Sequence, residues 1–261
     1  MTAGSARVGL RREGPVATIR VGDGRRANAL GVGDWRALTE LLDGLCQDPS
    51  LGAVVVTGGG TATFSAGSDM REWLGADPEQ IDDAFAAMEE AFRAVERLPV
   101  PAIAQVSGAA VGAGCQLACV CDLRVVADEA RIGMPIARWG ILVPPAFAAR
   151  LALLTGPARA RDLLYTGRLV GGAEAVGMGL ATLSVPSAEL RTATDHLLAA
   201  ITDHPPAAIR AAKRSLDQVL EPVRDHVFKV PAGPSADYAG MQSGLTRFLS
   251  RMAGADSDGQ R

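Results

Sequence analysis

The chain has 261 residues, 48% hydrophobic and 21% charged, which is the balance of a compact globular protein with one large domain or one domain plus a small appendage. A net charge of −3 and the lack of any long basic run argue against nucleic-acid binding. Aromatic residues are only 4%, so the core must be filled mainly by Ala, Val, Leu and Ile.

The first twelve residues contain no apolar stretch of the signal-peptide kind. Residues 8–12 and 17–21 read as paired strands around a Glu13-Gly14-Pro15 turn. Residues 34–45 place Trp35, Leu38, Leu41, Leu42 and Leu45 at helical spacing. A strand at 53–57 stops at Gly58-Gly59-Gly60. Asp77-Pro78 then opens a helix with Ile81, Phe85, Met88 and Phe92 in one stripe. Strands at 102–106 and 123–127 flank a glycine turn and a helix.

The uncharged run from Leu98 to Cys121 contains Pro99, Pro101, Gln105, Ser107 and Gln116, so it reads as strand, turn and helix rather than a membrane span. Further helices are expected from Pro157 to Leu164 and over 173–179. After Pro186 the pattern is wholly helical, at 189–202, 206–220 and 235–252. Strands alternating with helices indicate an α/β fold. The division expected is a core over 1–190 and a helical oligomerisation region over 191–261.

Cys46, Cys115, Cys119 and Cys121 form no disulfide framework and lack zinc spacing, so buried thiols in a reducing cytoplasm are expected and no metal. His196, His204 and His226 all lie in the helical tail, and there is no nucleophile elbow or P-loop.

Two segments carry the chemistry. Phe64-Ser65-Ala66-Gly67-Ser68-Asp69-Met70 and Ser107-Gly108-Ala109-Ala110-Val111-Gly112-Ala113-Gly114-Cys115-Gln116 each lead from a strand through small residues toward a helix. Main-chain N–H groups point outward at such turns and favour developing negative charge. Two turns aimed at one point would make an oxyanion hole; either turn alone is also explained by close strand–helix packing.

At these residues the chain resembles the enoyl-CoA hydratase/isomerase (crotonase) family. The resemblance is also carried by Asn28-Ala29-Leu30, Val54-Val55-Val56-Thr57-Gly58, Cys121-Asp122-Leu123-Arg124, Leu164-Tyr165-Thr166-Gly167-Arg168 and Gly177-Met178-Gly179-Leu180-Ala181. It implies a crotonase-like ββα spiral core with a C-terminal helical region that forms a homotrimer, often paired into a homohexamer. It also implies an acyl-CoA ligand, with coenzyme A as part of the substrate and no separate cofactor. The oxyanion donors would be the amides of Ser68 and Ala113. Arg25 and Arg26 would lie near the coenzyme A phosphates, Ala66, Ser68, Asp69 and Met70 along the ligand, and Phe248 and Arg251 toward its adenine end.

The two glutamates of the family's hydratases would fall at Gln116 and Ile136, and neither is acidic here. Where relatives have a glycine-rich loop, this chain reads Val143-Pro144-Pro145-Ala146-Phe147. Ordinary hydration is therefore not expected, although the family is one of lyases and isomerases of fatty acid metabolism. Asp69 and Glu72 are candidate substitute acids, more simply read as helix-start acids. Met70, Trp73, Met88, Met134 and Trp139 are candidate contacts for an acyl tail. Two readings follow: an enzyme using enolate stabilisation for other chemistry, or a non-catalytic fatty acyl-CoA-binding protein.

Overall fold

The computed structural model describes residues 7–60, 62–229 and 233–258. Strands β1 (Val8–Glu13) and β2 (Val16–Val21) form an antiparallel hairpin. Every later strand joins in parallel: β3 (Ala53–Gly58), β4 (Ala102–Val106), β6 (Leu123–Ala127) and β8 (Leu183–Val185), giving the order β1-β2-β3-β4-β6-β8. A small second sheet pairs β5 (Ala109–Val111) with β7 (Arg131–Gly133). Isolated bridges Leu30–Ser68 and Ser65–Ala110 extend that second layer backwards along the chain. Each turn of the chain thus adds one strand to the large sheet, a short segment to the small one, and then a helix.

The central strand β3 is an unbroken apolar run because it is buried on both faces, as parallel strands under helices are. Helix α1 (Val32–Cys46) turns Trp35, Leu38, Leu42 and Leu45 inward. Helix α2 (Pro78–Glu96) starts where the Asp77 carboxylate accepts the Gln80 N–H, and the Gln80 side chain accepts the Asp77 N–H in return. It buries Ile81, Phe85, Met88 and Phe92. Helix α3 (Ala113–Val120) is buried throughout. Cys115 and Cys119 lie on α3 and Cys121 just after it; all three are buried free thiols.

Helices α4 (Pro145–Thr155), α5 (Pro157–Thr166) and α6 (Gly172–Gly177) follow, then α7 (Leu190–Thr202), α8 (Pro206–Lys229) and α9 (Tyr238–Asp258). The loop expected around Pro144-Pro145 is instead the start of α4. Pro145 occupies its first helical position, where a missing N–H costs nothing. Helix α8 also continues past Leu220, with Pro222 inside it.

Lys213 of α8 ties the helical tail to the core through both oxygens of Asp122 at 2.7 Å, while Asp122 also accepts the Ala102 N–H. Asp122 is therefore a clamp for the turn after α3. No helix among the described residues is long and apolar enough to cross a membrane.

Candidate active site

The first glycine turn is held by Asn28. Residues Arg26, Ala27 and Asn28 all lie in the left-handed region, with φ of 49°, 50° and 54°. That turn buries the Asn28 amide, which donates to the carbonyls of Gly59 and Thr63 at 2.9 and 2.7 Å and accepts the Gly24 N–H. The next residues are matched one by one: Ala66 N–H donates to the Ala27 carbonyl, Ser65 Oγ to that of Asn28, Leu30 N–H to Gly67, and Asp69 N–H to Leu30. Because the Leu30–Ser68 bridge uses the Gly67 carbonyl and the Asp69 N–H, the Ser68 N–H points the other way. It has no partner among the described residues.

The second turn is stitched to the first. Ser65 N–H donates to the Ala109 carbonyl and Val111 N–H to that of Ser65, both at 3.0 Å. Gly67 has φ +94°, and a β-carbon there would lie 2.8 Å from both the Ala113 nitrogen and the Val111 oxygen. Ala113 is the first residue of α3, so its N–H has no intrahelical acceptor, and no described residue engages it.

Ala66, Ser68, Met70, Ala113 and Ile136 line a single narrow cleft of ≈ 60 Å³, with Trp73, Phe85, Met88, Trp139 and Phe147 among its other walls. Among the described residues no charged side chain lines it. The Ser68 hydroxyl donates to the Met88 sulfur at 3.4 Å.

The remaining predicted residues lie around the cleft rather than in it. Gln116 is fully buried behind it. Its Nε2 donates to the Phe147 carbonyl at 3.3 Å and faces the Met134 sulfur at 3.7 Å, and its Oε1 has no partner among the described residues. Met134 backs Gln116 and does not line the cleft. Asp69 is nearly buried and pairs with Arg26 at 3.0 Å, its other oxygen accepting the Arg71 N–H. Glu72 accepts the Val32 N–H at the start of α1. Both acids are thus engaged outside the cleft and neither lines it. Arg25 is exposed on the same turn as Arg26. Phe248 reaches the site only through Trp139, its ring edge-on at 4.8 Å. The Arg251 side chain lies outside the described residues.

Phe85, Ile141 and Phe147 belong to the cleft but were not singled out from sequence. Phe85 shares the α2 stripe with Met88 and was indistinguishable from core. Phe147 required knowing that α4 begins at Pro145. Among the described residues no group of His, Cys, Asp or Glu gathers as a metal site.

A parallel sheet wound with a second small sheet, and two glycine turns meeting at one cleft, defines the crotonase class of α/β proteins. Residues 11–253 match the family model described as enoyl-CoA hydratase/isomerase, and the chain belongs to that family. A crotonyl-CoA hydratase of Syntrophomonas wolfei is 28% identical over 247 residues, 93% of this chain and 94% of that one. A short-chain-enoyl-CoA hydratase of Clostridium acetobutylicum is 28% identical over 214 residues, 81% of each chain. The crystal structure of an enoyl-CoA hydratase/carnithine racemase from Magnetospirillum magneticum superposes with a TM-score of 0.80 at 29% identity, covering 95% of this chain and 94% of that one.

Proposed function

We propose that the protein binds an acyl-CoA thioester with its carbonyl oxygen between the amides of Ser68 and Ala113, and that it is not an ordinary hydratase. The supporting observation is that, among the described residues, both amides lack partners and border one cleft that no carboxylate lines. Two such donors stabilise an enolate oxyanion, each worth roughly 10²–10³ in rate where chemistry occurs. Hydration needs a base for water and an acid for the α-carbon. The Gln116 amide has no proton-accepting capacity at neutral pH, and Ile136 has no polar atom.

Arg25 and Arg26, exposed on the Asn28 turn, would meet the coenzyme A phosphates, with Asp69 holding Arg26 in place. A homotrimer or homohexamer is supported by the apolar face of α8, where Leu216 and Val219 stand 65% and 74% exposed. A second reading, acyl-CoA binding without catalysis, is favoured by the engagement of Gln116 with the Phe147 carbonyl.

The test pairs calorimetry with spectroscopy. Crotonyl-CoA should bind without loss of its enoyl-thioester absorbance, and that absorbance should shift to the red as the carbonyl is polarised. Ala113→Pro removes one donor at a helix position that tolerates proline, and should abolish the shift. Hydration at ordinary family rates would overturn the assignment of Gln116 and Ile136, and a shift that survives Ala113→Pro would overturn the oxyanion hole.

A further inference from the structure

Four of the chain's eleven aromatic residues border the cleft. The whole protein has 3 Trp, 2 Tyr and 6 Phe, yet Trp73, Phe85, Trp139 and Phe147 all border this one small space. Their orientations are set by other rings. Trp73 and Phe85 stack with centroids 5.4 Å apart and planes 25° apart. Phe147 stands edge-on to Phe92 at 5.6 Å, and Trp139 edge-on to Phe248 at 4.8 Å. Met70 and Met88 add sulfur atoms, which favour contact with ring edges.

A saturated acyl chain needs only apolar area, and Leu, Val and Ile provide that throughout this core. Faces and edges of fixed rings add something for a planar π-system alone, through offset stacking and edge contacts. We propose that the acyl group bound here is aromatic, that is, that the ligand is a short aryl-acyl thioester of coenzyme A. This rests on the acyl-CoA reading above and narrows it.

The cleft of ≈ 60 Å³ is too tight for a long chain and must widen even for one ring. Trp73, Phe85 and Phe147 are only 4%, 8% and 3% exposed and form the fixed walls. Trp139 is the half-buried ring of the lining, backed by half-buried Phe248, so widening on this side costs the least packing.

The experiment is calorimetry on the full chain with cinnamoyl-CoA, nonanoyl-CoA of equal acyl carbon number, and free coenzyme A. Cinnamoyl-CoA should bind about tenfold tighter than nonanoyl-CoA, although the saturated chain is the more hydrophobic. Phe85→Leu and Trp139→Leu should each shrink that ratio toward about twofold. Circular dichroism checks that both variants fold, and half-buried Trp139 keeps the test open if Phe85→Leu does not. If nonanoyl-CoA binds as tightly as cinnamoyl-CoA, and both exceed free coenzyme A, the aryl assignment falls and the acyl-CoA reading stands. If neither exceeds free coenzyme A, both fall. A ratio unchanged in the folded variants also overturns the role given to the rings.

Discussion

The side-chain amide of Gln116 donates to the main-chain carbonyl of Phe147 at 3.3 Å, joining the first turn of α3 to the first turn of α4. The bond fixes which end of the amide faces which neighbour, and it leaves Oε1 buried and unpaired. A carboxylate at 116 would face that carbonyl with no proton to offer. Gln116→Glu should therefore lower folding stability by about 1–3 kcal/mol at pH 8. The folded state would raise the new carboxyl's pKa, so the loss should be smaller near pH 5, where the neutral acid can still donate. Urea unfolding at the two pH values measures it. Equal losses at both would contradict the contact.

Gly67→Ala should damage the site through the backbone. The position has φ +94°, and a β-carbon would press on the Ala113 nitrogen at 2.8 Å. Expected are a stability loss of about 1–3 kcal/mol and weaker acyl-CoA binding in whatever folds. Full affinity in the variant would show that the two turns have more slack than this.

Asn28→Ala removes the side chain that ties the strained turn to Gly24, Gly59 and Thr63. Buried carbonyls would be left unpaired and an alanine held at φ 54°. A loss of about 3 kcal/mol is expected by denaturant unfolding. A loss below half a kcal/mol would mean the turn is held mainly by its main-chain bonds.

Arg150 is the most buried cation of a cluster, bidentate to Glu89 at 2.7 and 2.8 Å and bonded to Glu96 at 3.0 Å, with its guanidinium over the Phe92 ring. Although burial opposes its charge, the two carboxylates hold its pKa above the ordinary arginine value. Arg150→Met leaves Glu96 without its cation and Glu89 with only Arg93 at 3.5 Å, and should cost about 3 kcal/mol. Adding Glu89→Gln and Glu96→Gln should recover part of that, and no recovery would argue that packing dominates.

The buried thiols give an alkaline limit to stability. Burial pushes the Cys121 thiol up to about 12 from 9.0. The unfolded chain then holds fewer protons than the folded one above pH 9, so stability is full below 9 and declines as pH rises toward 12. Cys121→Ala should flatten that decline in pH-dependent melting. In the native protein at pH 7.5 a thiol reagent should meet at most half-buried Cys46, and all four cysteines only after denaturation.

The long elements were legible in the sequence because their patterns are local. Trp35, Leu38, Leu42 and Leu45 define α1 wherever it packs, and the apolar runs of β3 and β4 need no partner to be recognised. Three-residue β5, β7 and β8 were not legible. So short a strand has no period of its own and exists only through what pairs with it. Pro144-Pro145 misled for a related reason, since proline marks a break and a helix start equally well.

Side-chain identity and order along the chain suffice for the family, the two small-residue turns and the neutral residues at 116 and 136. That Ser68 and Ala113 share a cleft, that Asp69 and Glu72 are committed elsewhere, and that rings from α2, α4 and the segment before α4 meet there emerges only in the folded chain. Those are contacts between residues far apart in the chain. Their distances follow from how the sheet winds, which no local pattern encodes.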